Sequence, residues 1–365
     1  MEKFKVGILG ATGMVGQRFI TQLRNHPWFE IACVAASSYS AGKTYKEAAM
    51  QKWKMKQAIP STIAKYKVLS VEDDIEQISS SVDLVFSALD TDKNKIKKIE
   101  LLYAEKNIPV ISNNSAHRWT PEVPMIIPEV NPHHTQLIDA QRKKNGWKKG
   151  FIVVKPNCSI QSYVMVLTAL REFQPLKIRV TSLQAISGAG KTFKSWAEMK
   201  DNVIPYINGE EEKSEQEPLK IWGALKDNSI QLAQQPVISA TCIRIPVTDG
   251  HMASVSVTFT TKPSKQQILG SIHAFTKTAQ QLKLPSTGNR PCIQYLSDND
   301  RPQTRLDRDS QFGMSITFGR LEEDSLFDWK FVALSHNTIR GAAGGAILLA
   351  ELLVRQQYIT RQNNN

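Results

Sequence analysis

The stretch "KPNCSIQSYVMVLTAL", residues 155–170, sets Cys158 between a Pro-Asn turn and a long apolar run, in a chain with only four cysteines. A cysteine delivered to the start of a helix has its thiolate stabilised by the helix dipole, which favours a nucleophile. The same apolar run is equally compatible with a buried, inert thiol. Cys33, Cys242 and Cys292 lie within or beside apolar strand-like segments and read as core. Covalent thiol chemistry needs a proton acceptor, and seven histidines are available. His251 follows the Thr-Asp-Gly turn of "RIPVTDGH" and opens a strand, a place from which it could serve as general base or simply be exposed. His26, His117, His133, His134, His273 and His336 lie mostly in polar or loop contexts.

A second constellation stands near the amino terminus. In "GILGATGMVG" the glycines Gly7, Gly10, Gly13 and Gly16 recur every third residue between an apolar strand and a helix-patterned segment. Such a turn lets backbone amides, here around Gly10, Thr12, Gly13, Met14 and Val15, approach a pyrophosphate at the positive end of the helix. A tight strand-to-helix turn without ligand would have the same pattern. An acid after the second strand would hold a ribose diol, but "AASSYSAGKTY" has none. Ser37, Ser38, Ser40 and Lys43 could instead bind a 2′-phosphate, favouring NADP over NAD, unless the loop is merely polar.

These residues need elements to hold them. Strand patterns at 4–9, 29–37, 82–90 and 108–114 alternate with charged helical stretches, which predicts a parallel, doubly wound α/β sheet. From about residue 155 the pattern becomes a helix after Cys158, then strands at 178–186, 240–247, 252–260 and 312–321, which predicts a second α+β unit with a mixed or antiparallel sheet. The last helix, "NTIRGAAGGAILLAELLVRQ", is expected to return to the first domain. The expected division is 1–155 with the helix 337–360 added, and 156–336. The tail "RQNNN" is expected to be disordered.

Composition bounds the function. At 365 residues, with 41% hydrophobic and 22% charged, the chain is long enough for two domains and too hydrophobic for a disordered protein. No CxxC and no clustered Cys/His spacing points to a metal. The start "MEKFKVGILG" is not a leader, and no apolar run approaches the ~18 residues of a membrane span, so a cytoplasmic location is expected. The net charge of +12 is spread out and reads as solvated faces or attraction of anionic small molecules rather than a nucleic-acid surface.

Seven segments in order, "GATGMVGQRF", "SNNSAHR", "KPNCSIQ", "QAISGAGK", "NGEEEKSEQE", "RIPVTDGH" and "SHNTIRGAAGGAILLAE", resemble the aspartate-β-semialdehyde dehydrogenase family over essentially the whole chain, most closely its archaeal and fungal branch. The resemblance implies a Rossmann-like NADP-binding domain joined to an α+β catalytic and dimerisation domain, as in glyceraldehyde-3-phosphate dehydrogenase. It implies that Cys158 attacks the acyl phosphate of 4-phospho-L-aspartate to form a thioester, with NADPH as hydride donor, giving L-aspartate 4-semialdehyde for lysine, threonine, methionine and isoleucine biosynthesis. His251 would be the acid/base and Gln184 would orient the substrate. Arg244 would pair with the α-carboxylate, Glu210 with the ammonium, and Lys213, Arg118 and Asn157 with phosphate; Glu211 and Glu212 remain rivals to Glu210, and "EEEKSEQE" alone would read as a solvated helix face. To the cofactor residues the resemblance adds Ser87, Ala88, Leu89, Ser187, Gly188, Ala189 and Asn337. A homodimer or homotetramer is implied, with 190–235 as candidate interface and neither nucleic acid nor membrane as partner. Tyr39 stands where many relatives carry an arginine, which weakens the argument for 2′-phosphate selectivity.

Two related reductases compete. N-acetyl-glutamyl-phosphate reductase acts on a substrate without the free ammonium that Glu210 would meet, and malonyl-CoA reductase has less use for phosphate ligands such as Arg118 and Lys213. A non-catalytic NADP-binding or nucleic-acid-binding protein would have no need of Cys158, Gln184, Arg244 and His251 together.

Overall fold

The computed structural model describes residues 2–362. Its first sheet holds β1 (Phe4–Leu9), β2 (Phe29–Ala36), β3 (Val68–Ser70), β4 (Leu84–Ser87), β5 (Pro109–Ser112) and β6 (Phe151–Val154) in the order β3-β2-β1-β4-β5-β6. Every pairing is parallel. Helices cover both faces, so strands such as "LVFS" and "FIVV" are buried at every residue rather than alternating. Strand order reverses between β1 and β4, the point at which open α/β sheets bind ligands at their carboxyl ends. The glycine turn lies there.

After β6 the chain runs through residues 155–160 into the helix Gln161–Ala169, buried over seven of its nine residues. It then forms β7 (Pro175–Gln184), a small ribbon of β8 (Ala224–Lys226) and β9 (Ser229–Gln231), and β10 (Val237–Arg244), β11 (His251–Phe259), β12 (Ile293–Leu296), β13 (Ile316–Glu323) and β14 (Trp329–Ser335). The second sheet has the order β10-β7-β11-β14-β13-β12 and is mixed: β10 with β7 and β12 with β13 are parallel, the other pairs antiparallel.

A single π turn, Ile339–Ala343, follows β14 and leads into the helix Gly344–Arg355. That helix packs in one apolar cluster with Val6 and Ile8 of β1, Phe86 of β4 and Phe151 of β6. Its one acid, Glu351, is fully buried; it accepts a 2.7 Å bond from His26 Nε2 and two from the Ser286 amide at 3.0 and 3.1 Å. Arg361 and Gln362, expected to be disordered, are tied down: the Gln362 amide donates to Asp83 Oδ1 at 2.6 Å and the Arg361 guanidinium lies 5.0 Å over the Phe4 ring. Asn363, Asn364 and Asn365 lie outside the described residues. No helix among those described is long and apolar enough to cross a membrane.

Candidate active site

Cys158 lies three residues ahead of the helix Gln161–Ala169, whose N-cap is Ile160, rather than at its first turn. The turn is built by Asn157, whose side-chain oxygen accepts from both the Ser159 amide and the Ser159 hydroxyl at 2.7 Å. Behind it packs the π turn: a β-carbon on Gly341 would stand 2.8 Å from Cys158 Cβ, so only glycine admits this approach. The expected stabilisation of the thiolate by the helix dipole does not prevail. Burial, with Glu210 adding to it, pushes the thiol above its ordinary value, and Lys155, Arg118 and Arg244 pull it back only in part. Cys33, Cys242 and Cys292 are buried, and Cys158 is the one of the four with partial exposure.

The second sheet supplies three more groups through its register. Arg244 pairs with Gln184 across the parallel strands β10 and β7, and Met252 pairs with Leu183, which puts His251 at the same sheet edge. Arg244 Nη1 donates to the Ala185 carbonyl at 2.7 Å, while the Ala185 amide donates to His251 Nδ1 at 3.0 Å. An imidazole that accepts at Nδ1 is held neutral with its proton on Nε2. Burial first, and Arg244 second, lower the His251 pKa to about 3, so the ring stays neutral. Nε2 is buried and without a partner among the described residues. It converges with Arg244 Nη1, each standing 2.9 Å from the place a β-carbon on Gly188 would occupy.

The acidic run "EEEKSEQEPLKI" is a helix, Glu210–Ile221, with Glu210, Ser214, Glu217 and Ile221 buried along one face. Glu210 is the hub: Asn157 Nδ2 reaches both its oxygens at 3.1 Å, Gln184 Nε2 donates at 3.2 Å and Lys213 Nζ at 2.7 Å. Of its rivals, Glu211 accepts from the Cys242 amide at 3.1 Å, and Glu212 is exposed at the cavity onto which Arg118 opens. Arg118 is fixed by Glu217 at 2.8 Å, and Glu217 also accepts from the Asn157 amide at 2.6 Å. Arg118 and Lys213, together with Lys93, open on a cavity of about 390 Å³.

At the dinucleotide-type turn the expected residues divide by role. The amides of Gly10 and Gly13 are already bonded, to the Ala35 and Gly10 carbonyls at 2.9 and 3.1 Å. Gly10 serves shape instead, with φ of 82° and a would-be β-carbon 2.3 Å from the Ala88 carbonyl oxygen. Met14, Val15 and Gly16 form the first turn of the helix Met14–Leu23, where amides have no intrahelical acceptor and can meet an anion. Thr12 lies beside them. Ser37 and Ser38 are exposed just past β2, Ser40 is buried, and Lys43 stacks 4.4 Å over the exposed Tyr39 ring, joined by Lys52 at 5.6 Å. Ser87 ends β4, with Ala88 and Leu89 half-buried next to it. Ser187, Gly188 and Ala189 form a short 3-10 turn past β7. Asn337 is engaged on both ends, accepting from the Gly250 amide and donating to Ser187 Oγ, each at 2.8 Å. Exposed amides at a positive helix end, a close-approach glycine and a hydroxyl and ammonium cluster without an acid together fit a dinucleotide carrying a 2′-phosphate.

Several groups escaped the sequence reading. Glu217 was hidden in an acidic run, Lys52 in a polar loop. Lys155, not singled out in the sequence, is 2% exposed, donates to the Pro156 carbonyl at 2.9 Å, and has its pKa lowered by burial to about 7. Arg340 grips Glu129 with both terminal nitrogens, at 2.7 and 2.8 Å, and so anchors the π turn. His26, His117, His134 and His336, assigned to polar or loop contexts, are all buried.

A parallel nucleotide-type sheet and a mixed sheet meeting at a cysteine, with a neutral histidine and paired arginines around it, define a semialdehyde dehydrogenase-class oxidoreductase. Residues 5–138 match the family described as "Semialdehyde dehydrogenase, NAD binding domain" and residues 167–340 that described as "Semialdehyde dehydrogenase, dimerisation domain". The chain is 42% identical over 357 residues to an aspartate-semialdehyde dehydrogenase of Archaeoglobus fulgidus, covering 98% of this chain and 100% of that one. It is 43% identical over 366 residues to the Aspergillus fumigatus enzyme of that name, covering 98% and 99%. The crystal structure of aspartate semialdehyde dehydrogenase with NADP from Candida albicans superposes with a TM-score of 0.86 at 38% identity, covering 98% and 100%. The chain belongs to the aspartate-semialdehyde dehydrogenase family.

Proposed function

We propose that the chain carries out the NADPH-dependent reductive dephosphorylation of 4-phospho-L-aspartate to L-aspartate 4-semialdehyde and phosphate, through a thioester on Cys158. The observation that carries this reading is the set of groups gathered around one thiol: Glu210, Arg118 and Arg244 are charges acting on Cys158, Gln184 and Asn157 are bonded to Glu210, and His251 shares the Ala185 peptide with Arg244. The Arg244 guanidinium has the fork geometry for the substrate α-carboxylate. A substrate ammonium would take the place of Lys213 on Glu210, freeing Lys213 for phosphate beside Arg118. Cys158, as thiolate, attacks the acyl carbon; the C–S bond forms and phosphate leaves. His251 presents its Nε2–H to the oxygen on which charge develops, a donor already in place before the reaction. Hydride is the chemistry the nicotinamide supplies when bound, and collapse of the tetrahedral adduct then returns the sulfur to thiolate and frees the aldehyde. Splitting the exchange into two steps through sulfur lowers each barrier.

The domain division we propose follows the same logic: residues 1–155 with 337–360 hold the dinucleotide, residues 156–336 hold substrate and the contacts between subunits. A homodimer or homotetramer in the cytoplasm completes the reading. Glu210 as an ammonium partner favours free aspartyl phosphate over an N-acylated substrate. The test follows NADPH absorbance with aspartate semialdehyde, phosphate and NADP+. Wild type turns over and Cys158→Ser loses at least about 10³-fold; equal turnover by the two proteins removes the thioester from the mechanism, and preference for the N-acetylglutamate or malonyl-CoA reaction reassigns the substrate.

A further inference from the structure

A cavity of about 460 Å³ lies away from Cys158, walled by the flank of the helix Met14–Leu23, the 54–60 loop, the Thr248–Asp249 turn and the 308–312 loop. None of the residues assigned above to substrate or dinucleotide lines it. Its charge is lopsided: Arg18, Arg24, Lys54, Lys56 and Arg308 face two carboxylates, Asp249 and Asp309. Asp309 stands 3.8 Å from Arg308 Nε and 3.6 Å from His336 Nε2, and the five cations outnumber the two carboxylates.

Arg18 Nε is buried and has no hydrogen-bond partner among the described residues. Asp249, Asp309 and Arg308 are the charges that face its guanidinium. An arginine cannot shed its proton as a buried lysine does, so a guanidinium with an unpaired Nε in a cleft of net positive charge suits an anion. Arg308 donates from Nη1 to the Asp249 carbonyl at 2.9 Å, leaving the rest of its fork toward the cavity. At the rim, Gln311, Phe312 and Gly313 hold consecutive φ values of 50°, 58° and 78°. Two non-glycine residues in a row in the left-handed region are found where a local geometry is being held for use. They set the Phe312 ring, 75% exposed, at the cavity mouth with Arg290 5.0 Å over it.

We propose that this cavity is an effector site for a small anion, whose carboxylate or phosphate bridges Arg18 and Arg308, and that its occupancy is felt at His251. The link is short. Asp249 is two residues from His251, the Gly250 amide between them is held by Asn337, and Asn337 adjoins His336 of the cavity wall. Arg18 rides on the first sheet's helix and Arg308 on the loop before β13, so a bridging anion also ties the two sheets together.

The proposal is tested by calorimetric titration of the full chain with inorganic phosphate, and separately with citrate. Wild type is expected to take two phosphates per chain; Arg18→Gln loses one, at least tenfold weaker, and Arg118→Gln loses the other. Arg308→Gln, with its alteration nearer the surface, is expected to behave as Arg18→Gln, and unchanged NADP+ affinity certifies the fold of each variant. Citrate binding that depends on Arg18 makes the natural group a carboxylate; Arg18-dependent binding of phosphate alone makes it a phosphate. In 15N spectra of the imidazoles, the His336 and His251 signals move with the anion in wild type and stay still in Arg18→Gln. A single phosphate equivalent removed by Arg118→Gln, or identical titrations of wild type and both cavity variants, overturns the site; movement of His336 without His251 overturns the coupling.

Discussion

A buried lysine with a single carbonyl for company is costly to the fold, and Lys155, three residues before Cys158, is held in that way. Its pKa falls from 10.5 to about 7 through burial, so between those values the unfolded chain binds a proton that the folded one has released, and stability rises with pH across that window. Lys155→Met is therefore expected to raise the melting temperature at pH 7 and below. Where Lys155 is still charged, at pH 7 and below, it also favours the Cys158 thiolate, so the variant is expected to lose more kcat/KM there than at pH 9, with Lys155→Arg recovering part. A lysine of purely structural role would leave the profile where it was. Gly188→Ala makes a complementary test. Its β-carbon would fall 2.9 Å from both Arg244 Nη1 and His251 Nε2, and activity should drop at least about 100-fold while the fold survives. At this scale the sequence was legible where chemistry is local. The turns single out Cys158 and His251 as candidates, yet leave an inert thiol and an exposed ring open, and it is the family resemblance that assigns their roles. Glu217 is not singled out, because its partner Arg118 is 99 positions away, and nothing near Lys155 says that it is inside.

Among the elements, the acidic helix contains a fault that the neighbouring helix repairs. Pro218 has no amide hydrogen to give to the Ser214 carbonyl one turn back. Tyr163 Oη, from the helix behind Cys158, donates to that carbonyl at 2.8 Å. The helix that follows Cys158 and the helix that carries Glu210 are thereby tied together through a hydroxyl. Tyr163→Phe leaves the carbonyl buried and unpaired and should cost about 1–3 kcal/mol by urea denaturation, with KM for the acyl substrate rising more than kcat falls. The alternation of strands and helices disclosed the first sheet and the change to successive strands the second, and 4–9 was bounded correctly by its apolar run. Of the strands of three or four residues, β4 and β5 were seen because they lie in longer apolar runs, whereas β3, β6 and β12 were not seen, and β14 lay beyond the last strand discerned. The helix after Cys158 is shorter than its apolar run because Leu170 already leaves helical geometry.

For the whole molecule, buried neutral histidines govern behaviour in acid. Burial lowers His251 to about 3 and His134 and His336 to about 4, against an ordinary value of 6.5. Folded pKa values below the unfolded ones mean stability that is whole above pH 6.5 and lost as pH falls toward 4, the unfolded chain taking up the protons. With three such groups the slope approaches about 4 kcal/mol per pH unit near pH 5, before most carboxylates titrate. Urea midpoints at successive pH values measure it; a flat response from pH 6.5 to 5 would show that these rings are already charged in the native state. Composition could not reveal this, because burial of a histidine depends on what the rest of the chain lays over it.

The hydrogen bond from His26 to Glu351 joins positions 325 apart, and the helix that bears Glu351 fills the cavity beside β1 and β4. Strands made first during synthesis therefore wait for a helix made last. Until some 340 residues have left the ribosome, the part of this cluster that the last helix covers stays open, although Phe19 already stacks on Phe86 at 4.6 Å, and at roughly 5–20 residues per second that interval lasts tens of seconds. The nascent chain must spend this time with an open apolar trough, which makes early association with a chaperone, or with another unfinished copy, a built-in hazard of the chain's order.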